Sequence, residues 1–178
     1  MSVLLQTVPA EIVHLNPGEF YFGGGRVQVQ TLLGSCVAIT VWHPDLRIGG
    51  MCHYLLPTRG KNQQLSPGHF ADEAIELFRK QLCKTSTTAS QYEVKLFGGG
   101  NMFKVLGHEN TTLNVAKNNI RAGIELLHRN GFSIKAQDVG GDVYRTVYLE
   151  LWSGDVWVRR GTSQNLGEAA MQVKGLNT

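Results

Sequence analysis

Cys36 and His53 are the residues of this chain whose types and spacing could do chemistry; they lie 17 positions apart within Thr31 to Pro57, TLLGSCVAITVWHPDLRIGGMCHYLLP. A cysteine thiol of ordinary pKa, near ~8.5, is largely protonated at neutral pH. A close imidazole can take that proton and later hand it to a leaving group. Ahead of Cys36, the turn Leu33-Gly34-Ser35 lets backbone N–H groups, those of Gly34 and Ser35 among them, point toward the thiol and hold an oxyanion. Together these parts would make an acyl-transfer site.

Such a site needs two strands in one register. Val37 to Trp42 is rich in β-branched and apolar residues, His43-Pro44-Asp45 breaks it, and a second apolar run, Ile48 to Leu56, ends at Pro57. The simplest reading is a hairpin, and if its loop is an even-numbered one centred near Pro44 to Arg47, residues whose numbers sum to 91 pair across it. Ala38 then faces His53, and Cys36 becomes a same-face diagonal neighbour of the histidine, about 7 to 8 Å away along the backbone. A slip of one residue would put the two on opposite faces. The same spacing also fits a buried cysteine beside a satisfied core histidine, and on spacing alone that is the commoner outcome.

Further strands are expected at Ile12 to Phe22, Val27 to Leu33, Tyr92 to Phe97, Phe132 to Val139, Tyr144 to Leu151 and Asp155 to Arg160. Ser66-Pro67 signals a helix start, followed by Ala71, Ala74, Ile75, Phe78 and Leu82 on one stripe. A second amphipathic helix is expected from about Val115 to Asn130, with Ala116, Ile120, Gly123, Ile124 and Leu127 on its apolar side and Gly131 as its cap. Gly23-Gly24-Gly25 reads as a turn, because no helix follows to make it a phosphate loop. The pattern predicts an α/β fold with a mixed, hairpin-rich β-sheet and two long amphipathic helices, in one domain over 1–178 with its core at about 10–160 and a mobile tail at 162–178.

Composition narrows the function classes. The chain has 178 residues, 42% apolar and 17% charged, with 17 basic against 14 acidic side chains for a net charge of +3. No run of five like charges occurs, so nothing points to nucleic acid. Three cysteines, Cys36, Cys52 and Cys83, without paired spacing argue for a reducing compartment. Cys52 and His53 are adjacent on a strand and face opposite ways, so no metal site is expected there. Met1 to Ala10 has neither a basic start nor a long apolar core, and no stretch approaches a membrane span, so a cytoplasmic protein without membrane insertion is expected.

Several motifs carry a resemblance. Besides Leu33-Gly34-Ser35-Cys36 with a following histidine, they are Phe70-Ala71-Asp72, Leu96-Phe97-Gly98-Gly99-Gly100-Asn101-Met102, Asp138-Val139-Gly140-Gly141 and Gly154-Asp155-Val156-Trp157-Val158. In order and in register, over about residues 10 to 160, this resembles the chemoreceptor glutamine deamidases of the CheD family. The resemblance departs most at Ala116-Lys117-Asn118-Asn119, where of the family's Gly-Glu-Arg-Asn only Asn119 matches. It implies a three-layer sandwich and a catalytic set of Cys36, His53 and Thr31, with Thr31 orienting the histidine. It also implies hydrolysis of glutamine side-chain amides in bacterial chemoreceptor cytoplasmic domains, through a cysteine thioester, with release of ammonia and no cofactor. A CheC-type chemotaxis phosphatase is the further partner it suggests. A non-catalytic chemotaxis adaptor binding receptors or a phosphatase is the alternative to an enzyme.

Overall fold

The computed structural model describes residues 9–61, 64–101 and 111–161, with α2's side chains described from Val115 onward. The tail at 162–178 therefore lies outside the described residues. Among the described residues nine strands and two long helices follow in chain order: β1 (Glu11–His14), β2 (Phe20–Gly24), β3 (Val27–Leu33), β4 (Val37–His43), β5 (Ile48–Tyr54), α1 (Ala71–Lys84), β6 (Glu93–Gly98), α2 (Thr111–Arg129), β7 (Ile134–Val139), β8 (Tyr144–Glu150) and β9 (Val156–Gly161). The fold is α/β, with two mixed sheets where the sequence pattern predicts one. One sheet has four strands in the order β1-β3-β8-β9, the other five in the order β2-β5-β4-β6-β7. The β1–β3 and β6–β7 pairs are parallel and the rest antiparallel.

The expected single strand from Ile12 to Phe22 is instead β1 and β2, one in each sheet. Pro17-Gly18 lies between them, and Gly18 has a φ of 83° that ends extended pairing. Ser66-Pro67 likewise opens only a short 3-10 turn, Pro67–His69, and α1 starts at Ala71 after the extended Phe70. The second helix ends as expected: Gly131 has a φ of 78°, and the amide of Phe132 reaches back to the Leu127 carbonyl at 3.0 Å.

Alternation along the five-stranded sheet splits the apolar residues between two cores. Val37, Ile39 and Val41 of β4 and Cys52 and Tyr54 of β5 pack with Ala74, Ile75 and Phe78 of α1 and with Leu127 of α2. On the opposite face, Ala38, Met51 and Phe97 pack with Val27, Val29, Leu33, Val147 and Leu149 from the four-stranded sheet. At Gly123 an added Cβ would overlap the Tyr54 hydroxyl, so glycine lets α2 lie close on the central strands. Among the described residues no helix is long and apolar enough to cross a membrane.

The two sheets are also tied by charge. Asp138 of β7 binds Arg145 of β8 through Oδ1 at 3.0 Å and Arg160 of β9 through Oδ2 at 2.9 Å. Arg145 is buried and also donates to the Gly140 carbonyl at 2.7 Å.

Candidate active site

The β4–β5 register is the one that an even-numbered loop over Pro44 to Arg47 gives. Val37 pairs with Tyr54, Ala38 with His53 and His43 with Ile48, leaving Pro44 to Arg47 as a four-residue loop. His53 therefore shares the face of Ala38, toward the four-stranded sheet. Cys36, half-buried, packs against that same inter-sheet core. Cys52 faces the helices, where complete burial pushes its thiol up to about 12.

Cys36 sits where the chain passes from one sheet to the other, in the segment between Leu33 of β3 and Val37 of β4. All three carbonyls of this crossing are held by outside donors. The Gly34 oxygen accepts from the Gly100 amide at 2.8 Å and the Cys36 oxygen from the Gly99 amide at 2.7 Å. The Ser35 oxygen accepts from Asn119 Nδ2 of α2 in a longer contact of 3.4 Å. In a trans peptide the N–H points opposite to the preceding carbonyl, so the Ser35 and Cys36 amides are turned away from Gly100 and Asn119. Gly98 makes the glycine turn's approach feasible: its φ is 107°, and a Cβ there would overlap the Cys36 carbonyl oxygen.

Thr31 lies on the inward face of β3, in the other sheet, and its hydroxyl reaches across to His53. Thr31 Oγ1 donates to the Leu15 carbonyl at 2.8 Å and stands 2.8 Å from His53 Nδ1. Since the single hydroxyl proton is used on Leu15, Nδ1 must donate to Oγ1, which leaves Nε2 as the bare nitrogen. Nε2 is buried and has no hydrogen-bond partner among the described residues. The contact thus fixes both the ring's orientation and its tautomer, with the basic lone pair on the side away from Thr31.

Burial sets the charge states. It lowers the His53 pKa to about 4, against a smaller opposing effect of the Leu15 carbonyl. Burial also raises the Cys36 thiol above its ordinary value, opposed by hydrogen bonds from the Ser35 side chain and from its own amide. At neutral pH Cys36 is therefore a thiol and His53 a neutral imidazole on one face, and no hydrogen bond joins the sulfur to Nε2 in the resting site. Proton transfer must accompany bond formation, because no thiolate is stored beforehand.

Asn119 is the polar residue whose place the sequence pattern did not assign. It is fully buried on α2, and its Nδ2 donates to the Leu55 carbonyl at 2.7 Å as well as to Ser35. Its backbone carbonyl accepts from the Tyr54 hydroxyl at 2.8 Å. The available signal was its position three residues after Ala116 and four before Gly123, which puts an amide on the buried stripe. Among the described residues no group of three His, Cys, Asp or Glu side chains is placed to hold a metal ion.

Comparison with known proteins extends the picture from site to chain. A family profile described as CheD chemotactic sensory transduction matches residues 55–160. A protein of Pseudomonas syringae pv. syringae named "Probable chemoreceptor glutamine deamidase CheD" is 44% identical over 163 residues, covering 92% of each chain. Its namesake from Pseudomonas fluorescens is 47% identical over 160 residues, covering 90% of each. "Probable chemoreceptor glutamine deamidase CheD 3" of Dechloromonas aromatica is 41% identical over 157 residues, 86% of this chain and 91% of that one. Among solved structures, the Bacillus licheniformis hypothetical protein YfiH overlays with a TM-score of 0.44 at 10% identity, over 75% of this chain and 60% of that one.

Proposed function

This chain belongs to the CheD family, and from that premise we propose that it is a protein-glutamine deamidase acting on the cytoplasmic domains of chemoreceptors in chemotaxis adaptation. The observation that carries the mechanism is the bare, buried Nε2 of His53, held by Thr31 on the face that Cys36 shares. In the first step, Cys36 Sγ attacks the amide carbon of a glutamine side chain while its proton passes to His53 Nε2. The negative charge gathers on the former carbonyl oxygen, where the Ser35 and Cys36 amides, with Gly34 shaping the turn, hold it. The tetrahedral intermediate collapses, the carbon–nitrogen bond breaks, and the imidazolium gives its proton to the departing ammonia. Water then attacks the thioester with His53 as base, leaving glutamate and restoring the thiol.

A neutral imidazole suits both roles. As a base it needs the free lone pair that its low pKa guarantees, and once protonated it is a strong acid toward a leaving amine. Thr31 is the third group that keeps the ring in place. We assign the helices, the five-stranded sheet and the four-stranded sheet to three layers, supported by the separate cores on the two faces of the five-stranded sheet. The proposal extends to a cytoplasmic location and to a CheC-type phosphatase as a partner, both on the family relation.

The test is incubation with a purified chemoreceptor cytoplasmic fragment, reading intact mass and free ammonia. The expected result is the mass gain of one or more amide-to-acid conversions with matching ammonia and no chain cleavage, abolished in Cys36→Ala and retained in Cys52→Ala. Cleavage of the fragment would indicate a peptidase. Binding that survives Cys36→Ala without any mass change in the wild type would indicate an adaptor.

A further inference from the structure

We infer that Asn119 is a positioning residue that holds the nucleophile turn and the base-bearing strand in one mutual geometry. The inference rests on the deamidase reading for its chemistry, though its geometry stands apart from it. One amide nitrogen donates to two carbonyls on the two sides of the site: Ser35, the residue before Cys36, and Leu55, two residues after His53. Its carbonyl Oδ1 is buried and has no partner among the described residues, toward which the side chain serves as a donor. Swapping the amide's O and N would set an oxygen against both carbonyls, so these two acceptors fix its orientation as well.

The consequence for Cys36 follows from peptide geometry. The Ser35–Cys36 peptide is the unit whose carbonyl Asn119 holds, and the N–H on its other side belongs to Cys36. That N–H supports the sulfur. Without the Asn119 donor, the Ser35–Cys36 peptide is the one unit of the crossing whose carbonyl is unheld while Gly99 and Gly100 keep its neighbours, and its tilting weakens both the support for the thiolate and one arm of the oxyanion site. Because the same nitrogen also holds Leu55, the displacement separates the nucleophile from His53 rather than moving the two as a body.

The stability role and the positioning role are separable, since Tyr54 provides a second tie to the same residue. Tyr54→Phe removes the hydroxyl's bond to the Asn119 backbone but leaves Nδ2 in place. Asn119→Leu keeps the branched side-chain shape at a larger volume and removes both of the Nδ2 hydrogen bonds. The experiment compares wild type, Asn119→Leu and Tyr54→Phe by three readouts: circular dichroism for folding, the pH profile of Cys36 alkylation by iodoacetamide, and deamidation of a chemoreceptor fragment.

The expected result for folded Asn119→Leu is an alkylation profile displaced to higher pH and a kcat lower by about 10- to 100-fold, the scale for loss of an outer orienting contact rather than of an oxyanion donor itself, with KM within about two-fold. Tyr54→Phe should match wild type in both despite a lower Tm. If Asn119→Leu does not fold, Asn119→Ala, which leaves a cavity in place of an apolar group, is read in the same way. A folded Asn119 variant with the wild-type alkylation profile and kcat overturns the inference. So does Tyr54→Phe showing the same displacement as Asn119→Leu, because both would then report stability alone. Failure of the deamidase reading is distinguishable. If wild type releases no ammonia but the alkylation profile separates the two variants as expected, the positioning role stands and the substrate assignment falls.

Discussion

At the scale of single residues, burial makes His53 a reporter of its own environment. Its pKa falls from 6.5 to about 4, so between these values the unfolded chain binds a proton that the folded protein refuses. The stability this represents is fully present above pH 6.5 and is lost as the pH falls toward 4, amounting to roughly 3 kcal/mol over the window. His53→Phe, which cannot titrate, should therefore lose about 2 to 3 kcal/mol less than wild type when denaturant unfolding is compared at pH 7 and pH 4.5. Parallel losses in the two proteins would mean that the ring is hydrated. Thr31 gives a second case. Thr31→Val keeps the shape but strips Nδ1–H of its acceptor, and should lower kcat about 10- to 100-fold at a stability cost of about 1 to 3 kcal/mol, while Thr31→Ser keeps most of the activity. Ammonia release beside denaturant melts would decide it, with equal loss in Val and Ser variants counting against the hydroxyl.

At the scale of elements, legibility depended on how far apart in sequence the partners lie. The β4–β5 hairpin was readable because His43-Pro44-Asp45 marks the break, but the shared face of Cys36 and His53 followed only for an even-numbered loop, and the structure supplies that parity. The meeting of Thr31 with His53 crosses between two sheets, and no local pattern specifies it; only the resemblance singled out the threonine. The existence of two sheets was hidden for the same reason, since β3 pairs with β8 more than a hundred residues later and the alternation of β3 is silent about its partner. Asn119 escaped assignment because an amide within a helical stripe scores as a polar interruption until the two carbonyls opposite it are known. The glycines that close β6, Gly98 to Gly100, stood out only as part of the resemblance, and their work is now specific. Gly98→Ala forces a Cβ against the Cys36 carbonyl at a φ of 107° and should cost about 1 to 3 kcal/mol in strain. Because the strain falls on the nucleophile's own peptide, the fall in kcat should exceed anything the unfolded fraction accounts for. If activity merely follows the folded fraction in denaturant melts, the turn is structural and no more.

At the scale of the whole molecule, the site depends on two sheets keeping their distance, since Thr31 and His53 belong to different ones. Asp138 sets part of that distance by binding an arginine from each of β8 and β9 while itself on β7. Removing it leaves Arg145, which is 3% exposed, as a buried charge without its carboxylate, and Asp138→Ala should cost roughly 3 kcal/mol. Arg160 is 64% exposed at its side chain, so Arg160→Ala should cost less than about 1 kcal/mol. Urea melts of the two variants check the contrast, and equal losses would place the stabilising charge at the surface. The hairpin loop from Pro44 to Arg47 stands at the other end of the same sheet, a full strand length from Cys36, or about 20 Å at the usual rise per residue. Both hairpin strands are also gripped along their outer edges, β4 by β6 and β5 by β2. Register therefore does not depend on the loop closing it. A fluorescent protein or affinity tag spliced beside the exposed Leu46 would ride on the hairpin tip without disturbing the parity that unites thiol and imidazole, giving a labelled protein whose reporter is remote from its chemistry.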